Sequence, residues 1–167
     1  MIRALDRIVR IFFHKVNFWV IFSVMEMDRE ELMRVILDHY ENPRHYGARE
    51  DSDVVQKGGN PGCGDIITIY LALDDDGRIR DVSFDGEGCI LSQATTSMIT
   101  DIVLGKTAEE VEKMNPDFIT DLIGRDLALT RPRCATLGIT TVKQAIKEWR
   151  KQKTIAEIEK ETRLANN

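Results

Sequence analysis

Asn60-Pro61-Gly62-Cys63-Gly64-Asp65-Ile66-Ile67-Thr68-Ile69-Tyr70-Leu71-Ala72-Leu73-Asp74-Asp75-Asp76-Gly77, followed by Arg78 to Gly86-Glu87-Gly88-Cys89, decides how this chain folds. From Ile66 to Leu73 the pattern alternates. Ile67, Ile69, Leu71 and Leu73 share one face, opposite Thr68 and Tyr70, which predicts a strand. Asp74-Asp75-Asp76-Gly77 is a turn signal, and Arg78 to Asp85 returns as the hairpin partner with Val82 and Phe84 on one face. A hairpin reverses direction, so the entry of its first strand and the exit of its second lie at the same edge. Cys63 stands at that entry on a Gly/Pro-rich loop, and Cys89 stands at that exit between Gly88 and the next element. Topology alone therefore brings the two thiols together.

Upstream, Leu32, Val35, Ile36 and Tyr40 carry a helical spacing, with Asp28 as N-cap and Glu31 completing a capping box. Asn42-Pro43 ends that helix, and Val54-Val55 predicts a short strand stopped by a Gly58-Gly59 break. After Cys89 the period changes. Ser92 to Leu104 reads as a helix with Ala94, Met98 and Ile102 inward and Gly105 as its stop. Its small residues Ser92, Ala94, Thr95, Thr96 and Ser97 suit close approach to a neighbour. Thr107-Ala108-Glu109-Glu110 opens a short helix, and Asn115-Pro116 opens another through about Ile123. From Cys134 onward Leu137, Ile139, Val142, Ile146 and Trp149 mark an amphipathic helix, and the charged stretch from Lys151 needs no burial. Helix, strands, then helices predicts an α+β domain with helices packed on an antiparallel sheet.

The 167 residues, 43% hydrophobic and 31% charged, suit one ordinary globular domain with its own core. A net charge of −5 argues against a nucleic-acid partner, which would require a basic face. Three cysteines are too few and of the wrong parity for a secreted disulfide scaffold, so free thiols in a reducing cytoplasm are expected. No apolar run reaches the length of a transmembrane helix, and no membrane partner is expected. Residues 1–26 differ from the rest: Arg3, Arg7, Arg10 and Lys15 precede an apolar stretch from Val16 to Met25. No small-residue cleavage site follows it, so it is read as an extension outside the core, with a membrane-surface helix as the other reading.

The residues alone leave the thiols open between two readings. A free cysteine is often a small core hydrophobe, and no CxxC pair is present among Cys63, Cys89 and Cys134. The glycine flanks of Cys63 and Cys89 instead favour outward-facing turn thiols. Together with Cys134 in Arg131-Pro132-Arg133-Cys134 and the carboxylate of Asp65, these thiols could converge on one metal ion or cluster. Cys89 and Cys134 both precede helices, a placement that lowers a thiol's pKa, and Arg133 beside Cys134 would add to it. His14, His39 and His45 are read as solvated or capping residues, and Asp65 alone could cap a turn.

Asn-Pro-Gly-Cys-Gly-Asp at 60–65, Gly-Glu-Gly-Cys at 86–89, Arg-Cys-Ala-Thr-Leu at 133–137 and Val-Ile-Leu-Asp-His-Tyr-Glu-Asn-Pro-Arg at 35–44 together resemble one family: the iron–sulfur scaffolds IscU, SufU and the NifU N-terminal domain. The resemblance spans roughly residues 28 to 150. It implies a scaffold domain at 27–150, an N-terminal extension at 1–26 and a charged helical tail at 151–167. The fold it implies is α+β, a small antiparallel sheet with helices packed on one face. It implies Cys63, Asp65, Cys89 and Cys134 as cluster or metal ligands, holding a transient 2Fe-2S cluster or Zn²⁺.

The implied role is a scaffold and carrier rather than an enzyme. It would accept sulfur from a cysteine desulfurase and pass clusters to apo iron–sulfur acceptor proteins in the cytoplasm. Cys134 is the first choice of persulfide acceptor, supported by Arg133, with Cys63 as the rival. The alternative is a zinc-dependent sulfurtransferase of SufU type. Arg133 stands where IscU-type members have His, as in SufU-type members. The 44 residues between Cys89 and Cys134 instead match the IscU spacing, without the SufU insertion. Leu129-Thr130-Arg131-Pro132 replaces the Leu-Pro-Pro-Val-Lys segment that chaperones recognise in IscU, which argues against chaperone docking. A homo-oligomer is left open.

Overall fold

The computed structural model describes residues 28–165. The reading of 1–26 as an extension lies outside the described residues. Helix α1 (Arg29–Glu41) begins as its sequence dictates. The Asp28 carboxylate accepts from the Glu30 and Glu31 N–H groups, and Glu31 reaches back to the Asp28 N–H.

Three antiparallel strands follow in sequential order: β1 (Val54–Asn60), β2 (Asp65–Leu73) and β3 (Ile79–Glu87). The predicted alternation holds. Ile67, Ile69 and Leu71 are fully buried on the face they share with Val82 and Phe84, each contributing about 1.5–3 kcal/mol relative to exposure. The opposite face leaves Val55 and Ile66 exposed. The Asp74–Gly77 turn closes with the Gly77 N–H on the Asp74 carbonyl at 2.9 Å. Gly77 has a φ of +74°, a conformation that glycine adopts at no steric cost.

Helices α2 (Ile90–Val103) and α7 (Leu137–Ala165) cover the apolar face, α2 against β3 and α7 against β1 and β2. Here one expectation is corrected. β1 does not stop at Gly58-Gly59 but runs through it to Asn60. The reason is tertiary: a Cβ at Gly58 would stand 2.0 Å from Thr141 Oγ1 on α7. The glycine lets helix and strand approach instead of breaking the strand. The small residues of α2 serve similarly. A Cβ at Gly138 would lie 2.7 Å from Thr96 Oγ1 and 2.9 Å from Thr96 Cα, so α7 and α2 meet there almost backbone to backbone.

Between them lie α3 (Ala108–Lys113), opened by the Thr107–Glu110 capping box, α4 (Phe118–Ile123), α5 (Arg125–Thr130) and the four-residue α6 (Pro132–Ala135). α7 starts beside α6 and runs the length of the sheet. At the far end Trp149 lies 3.3 Å from where a Gly77 Cβ would be, and Lys153 Nζ donates to the Asp75 carbonyl at 2.9 Å. Beyond Arg150 the helix continues to Ala165 with every residue exposed.

Candidate metal-thiolate site

The site is assembled where β1 turns into β2. The Asn60 carbonyl accepts from the Cys63 N–H at 3.1 Å and the Gly64 N–H at 2.9 Å. Its side-chain Oδ1 accepts from the Gly62 N–H at 3.2 Å. Gly64, at a φ of +75°, takes the left-handed step that reverses the chain. This tight loop pushes Cys63 into solvent, where it is exposed. Asp65, paired with Asn60 as the first residue of β2, points the other way and is 3% exposed.

β3 and α2 bring the second thiol. Cys89 is the N-cap of α2 in extended conformation, half-buried, and its side chain does not cap the helix. Its N–H donates to Asp65 Oδ1 at 3.1 Å and its thiol to Asp65 Oδ2 at 3.5 Å. The third thiol comes from α6. Cys134 is 1% exposed, its Sγ 3.2 Å from Cys63 Sγ and 3.3 Å from Asn60 Nδ2. One donor atom each from Cys63, Asp65 and Cys134 lies within 4.8 Å of the others. Cys89 stands outside that tight triangle and meets it at both Asp65 and Cys134. An open cleft of about 620 Å³ fronts the group, lined by Cys63, Asp65, Glu87, Cys89, Arg131 and glycines.

Burial by itself would push the Asp65 carboxyl up. Hydrogen bonds from Cys134, from the Cys89 N–H and thiol and from Ser92 outweigh it and hold the carboxyl below its ordinary value. Cys134 departs from the expected lowering. Burial, then its contacts with Cys63 and Asp65, push its thiol well above the ordinary value. The sulfur sits inside the short α6, behind Cys63 and Asp65. It is therefore not on a helix N-terminus open to solvent. The Arg133 side chain is exposed and does not line the cleft, whereas Arg131 does. Arg131 is the N-cap of α6, in a non-helical conformation. The Asn60 contact to Cys134 spans 74 residues, and no local pattern signals it.

The histidines lie elsewhere. His39, half-buried, has Nδ1 2.9 Å from Ser97 Oγ, and His45 Nε2 is 3.1 Å from Asp101 Oδ1. His14 lies outside the described residues. Tetrahedral zinc with sulfur at about 2.3 Å sets its donors roughly 3.5–3.8 Å apart. The 3.2 Å between Cys63 and Cys134 need widen by only about half an ångström to meet that spacing. Soft thiolates with one hard carboxylate suit zinc or an iron–sulfur cluster over calcium or magnesium.

Residues 31–156 match the family model described as the NifU-like N terminal domain. The chain is 39% identical over 114 residues to the iron-sulfur cluster assembly scaffold protein IscU 1 of Archaeoglobus fulgidus, covering 68% of this chain and 73% of that protein. It is 42% identical over 93 residues to the zinc-dependent sulfurtransferase SufU of Bacillus subtilis, covering 56% and 62%. The crystal structure of a nitrogen-fixing NifU-like protein (N-terminal) from Brucella abortus aligns with a TM-score of 0.62 over 78% of this chain and 98% of that one. At 21% identity that likeness speaks for the fold alone.

Proposed function

Because the chain belongs to the NifU-like N-terminal domain family of iron–sulfur cluster assembly scaffolds, we propose that it builds a 2Fe-2S cluster on Cys63, Asp65, Cys89 and Cys134 and passes it to apo-proteins. The observation that carries this is the convergence of two thiols and a carboxylate within 4.8 Å, with the third thiol bonded to that carboxylate. Thiolates hold cluster iron firmly. A carboxylate is a harder and weaker partner for it, so Asp65 makes the cluster one that can leave. The open cleft gives an acceptor protein access to it.

Sulfur arrives as a persulfide on a cysteine desulfurase. The Cys63 thiolate attacks the outer sulfur, forms Cys63–S–SH and releases the desulfurase cysteine as a thiolate. Cys63 takes this role over Cys134 because it is exposed while Cys134 is 1% exposed. Cys134 then serves as the buried ligand. Among the described residues no helix is long and apolar enough to cross a membrane, and the cytoplasm is the compartment where three free thiols persist.

A second reading follows from the SufU relative and from donors spaced for one ion. Zinc would hold the thiolates until the desulfurase displaces one, and the protein would act as a zinc-dependent sulfur acceptor. Metal analysis of natively purified protein, followed by a desulfurase assay, separates the two. An iron-dependent visible absorbance lost in Cys63→Ser, Cys89→Ser and Cys134→Ser supports the scaffold. Zinc with strong stimulation of desulfurase turnover supports the alternative and refutes the first. Neither metal bound, and no sulfur taken up by Cys63, would refute both.

A further inference from the structure

We propose that Asn60 is a positioning residue of the metal-thiolate site, an N–H donor that orients the Cys134 sulfur and tunes its bond to the metal. This rests on the reading that the three thiols and Asp65 bind metal or cluster. Asn60 is 5% exposed, and its carbonyl, Oδ1 and Nδ2 are all engaged. Its carbonyl gathers the Cys63 and Gly64 N–H groups, and Oδ1 takes the Gly62 N–H. That last bond fixes the carboxamide's sense. The Gly62 N–H that meets the carboxamide can only donate, so the oxygen must face it, and the –NH₂ is left facing Cys134 Sγ at 3.3 Å. One side chain thus ties the loop that presents the exposed thiol to the helix that presents the buried one.

The chemical consequence is an asymmetry between the sulfurs. Among the described residues, the Cys134 sulfur receives this amide N–H. The Cys63 sulfur, by contrast, meets the Cys134 sulfur. An N–H directed at a metal-bound thiolate withdraws electron density from sulfur, and such bonds set cluster potentials. Partners of this kind also orient ligands and raise metal affinity. A purely structural Asn60 would hold the loop through Oδ1 and the backbone and would have no effect on the metal.

Asn60→Asp separates the two roles, because a carboxylate oxygen still accepts from Gly62 while the donor to Cys134 is gone. In the full chain, zinc affinity measured by competition with a chromophoric chelator is expected to fall about 10–100-fold. The thiolate-to-metal charge-transfer bands of the cobalt-loaded protein should shift, with the far-UV circular dichroism unchanged. Should Asn60→Asp fail to fold, Asn60→Ala removes the same donor without adding charge and should weaken zinc similarly. In cadmium-loaded wild-type protein, one Asn60 Nδ2 proton should move downfield and resist exchange. Zinc affinity within about two-fold of wild type in a folded variant, or a freely exchanging Asn60 amide in the loaded protein, overturns the proposal. Wild-type protein that binds neither zinc nor cobalt would overturn the metal-site reading itself, and that result is distinguished by needing no variant.

Discussion

Replacing Gly58 with alanine probes the contact that sets α7 against β1 and thereby Cys134 against the loop of Cys63. A Cβ there would stand 2.0 Å from Thr141 Oγ1 and 3.0 Å from Thr141 Cβ and Cγ2, against an optimum of about 3.5–4.0 Å between carbon atoms. Gly58 has no left-handed φ, so the backbone accepts alanine and the cost is packing. Thr141 can turn away only by leaving the Leu137 carbonyl, now 2.8 Å distant, at a cost of about 1 kcal/mol. Overlap that rotation does not relieve costs about 1–3 kcal/mol. Alanine's smaller unfolded-state entropy returns about 0.4–1 kcal/mol. The expected net loss is about 1–3 kcal/mol, lowering Tm by roughly 3–10 °C for a domain this size. Thr141→Ala removes the two outer atoms of the clash, so a double-mutant cycle in urea should give a favourable coupling of about 1–2 kcal/mol. A Gly58→Ala protein as stable as wild type, or a coupling under about 0.5 kcal/mol, would refute the packing account of this glycine.

Asp65→Ala should lengthen the life of a reconstituted cluster, followed by the decay of its visible absorbance in the presence of a chelator; faster decay would remove Asp65 from the role of labile ligand. At His39, half-burial and then the nearby Arg44 charge hold the imidazole below its ordinary value, against the opposing pull of Asp101 and Asp38. The unfolded chain therefore takes up a proton that the folded one resists. The stability from this group is present above the ordinary histidine range, about 6.5, and is lost as pH falls through it. Urea midpoints of wild type and His39→Gln should diverge between roughly pH 7.5 and 5, with wild type falling more steeply. Parallel pH profiles would show that His39 carries none of this dependence.

What could be read from the chain was what local chemistry dictates. The alternation of Ile67, Ile69 and Leu71 fixed a hairpin, and the hairpin fixed one edge for Cys63 and Cys89. Asp28 with Glu31, and Thr107 with Glu110, announced helix starts that hydrogen bonding bears out. What failed depended on partners distant in sequence. Gly58-Gly59 looked like a strand break because nothing nearby reveals Thr141 lying across it. α5 and α6 leave no periodic signal because Gly124 and Pro132 punctuate a stretch too short to show a helical period. The burial of Cys134 arises from α6 packing among α2, α5 and α7, so its thiol moves opposite to the helix-terminus argument. Its amide partner Asn60 could not be paired with it from spacing.

The reach of α7 separates the molecule into two poles. The helix leaves the thiol end, crosses the sheet to the Asp75–Gly77 turn and then projects as fifteen exposed residues, 151–165, about 22 Å of free rod. A fluorophore, affinity tag or surface tether placed on that rod sits far from the sulfurs. Immobilised by this handle, the protein would present its reactive end outward, ready for a soluble donor or recipient to be flowed across it.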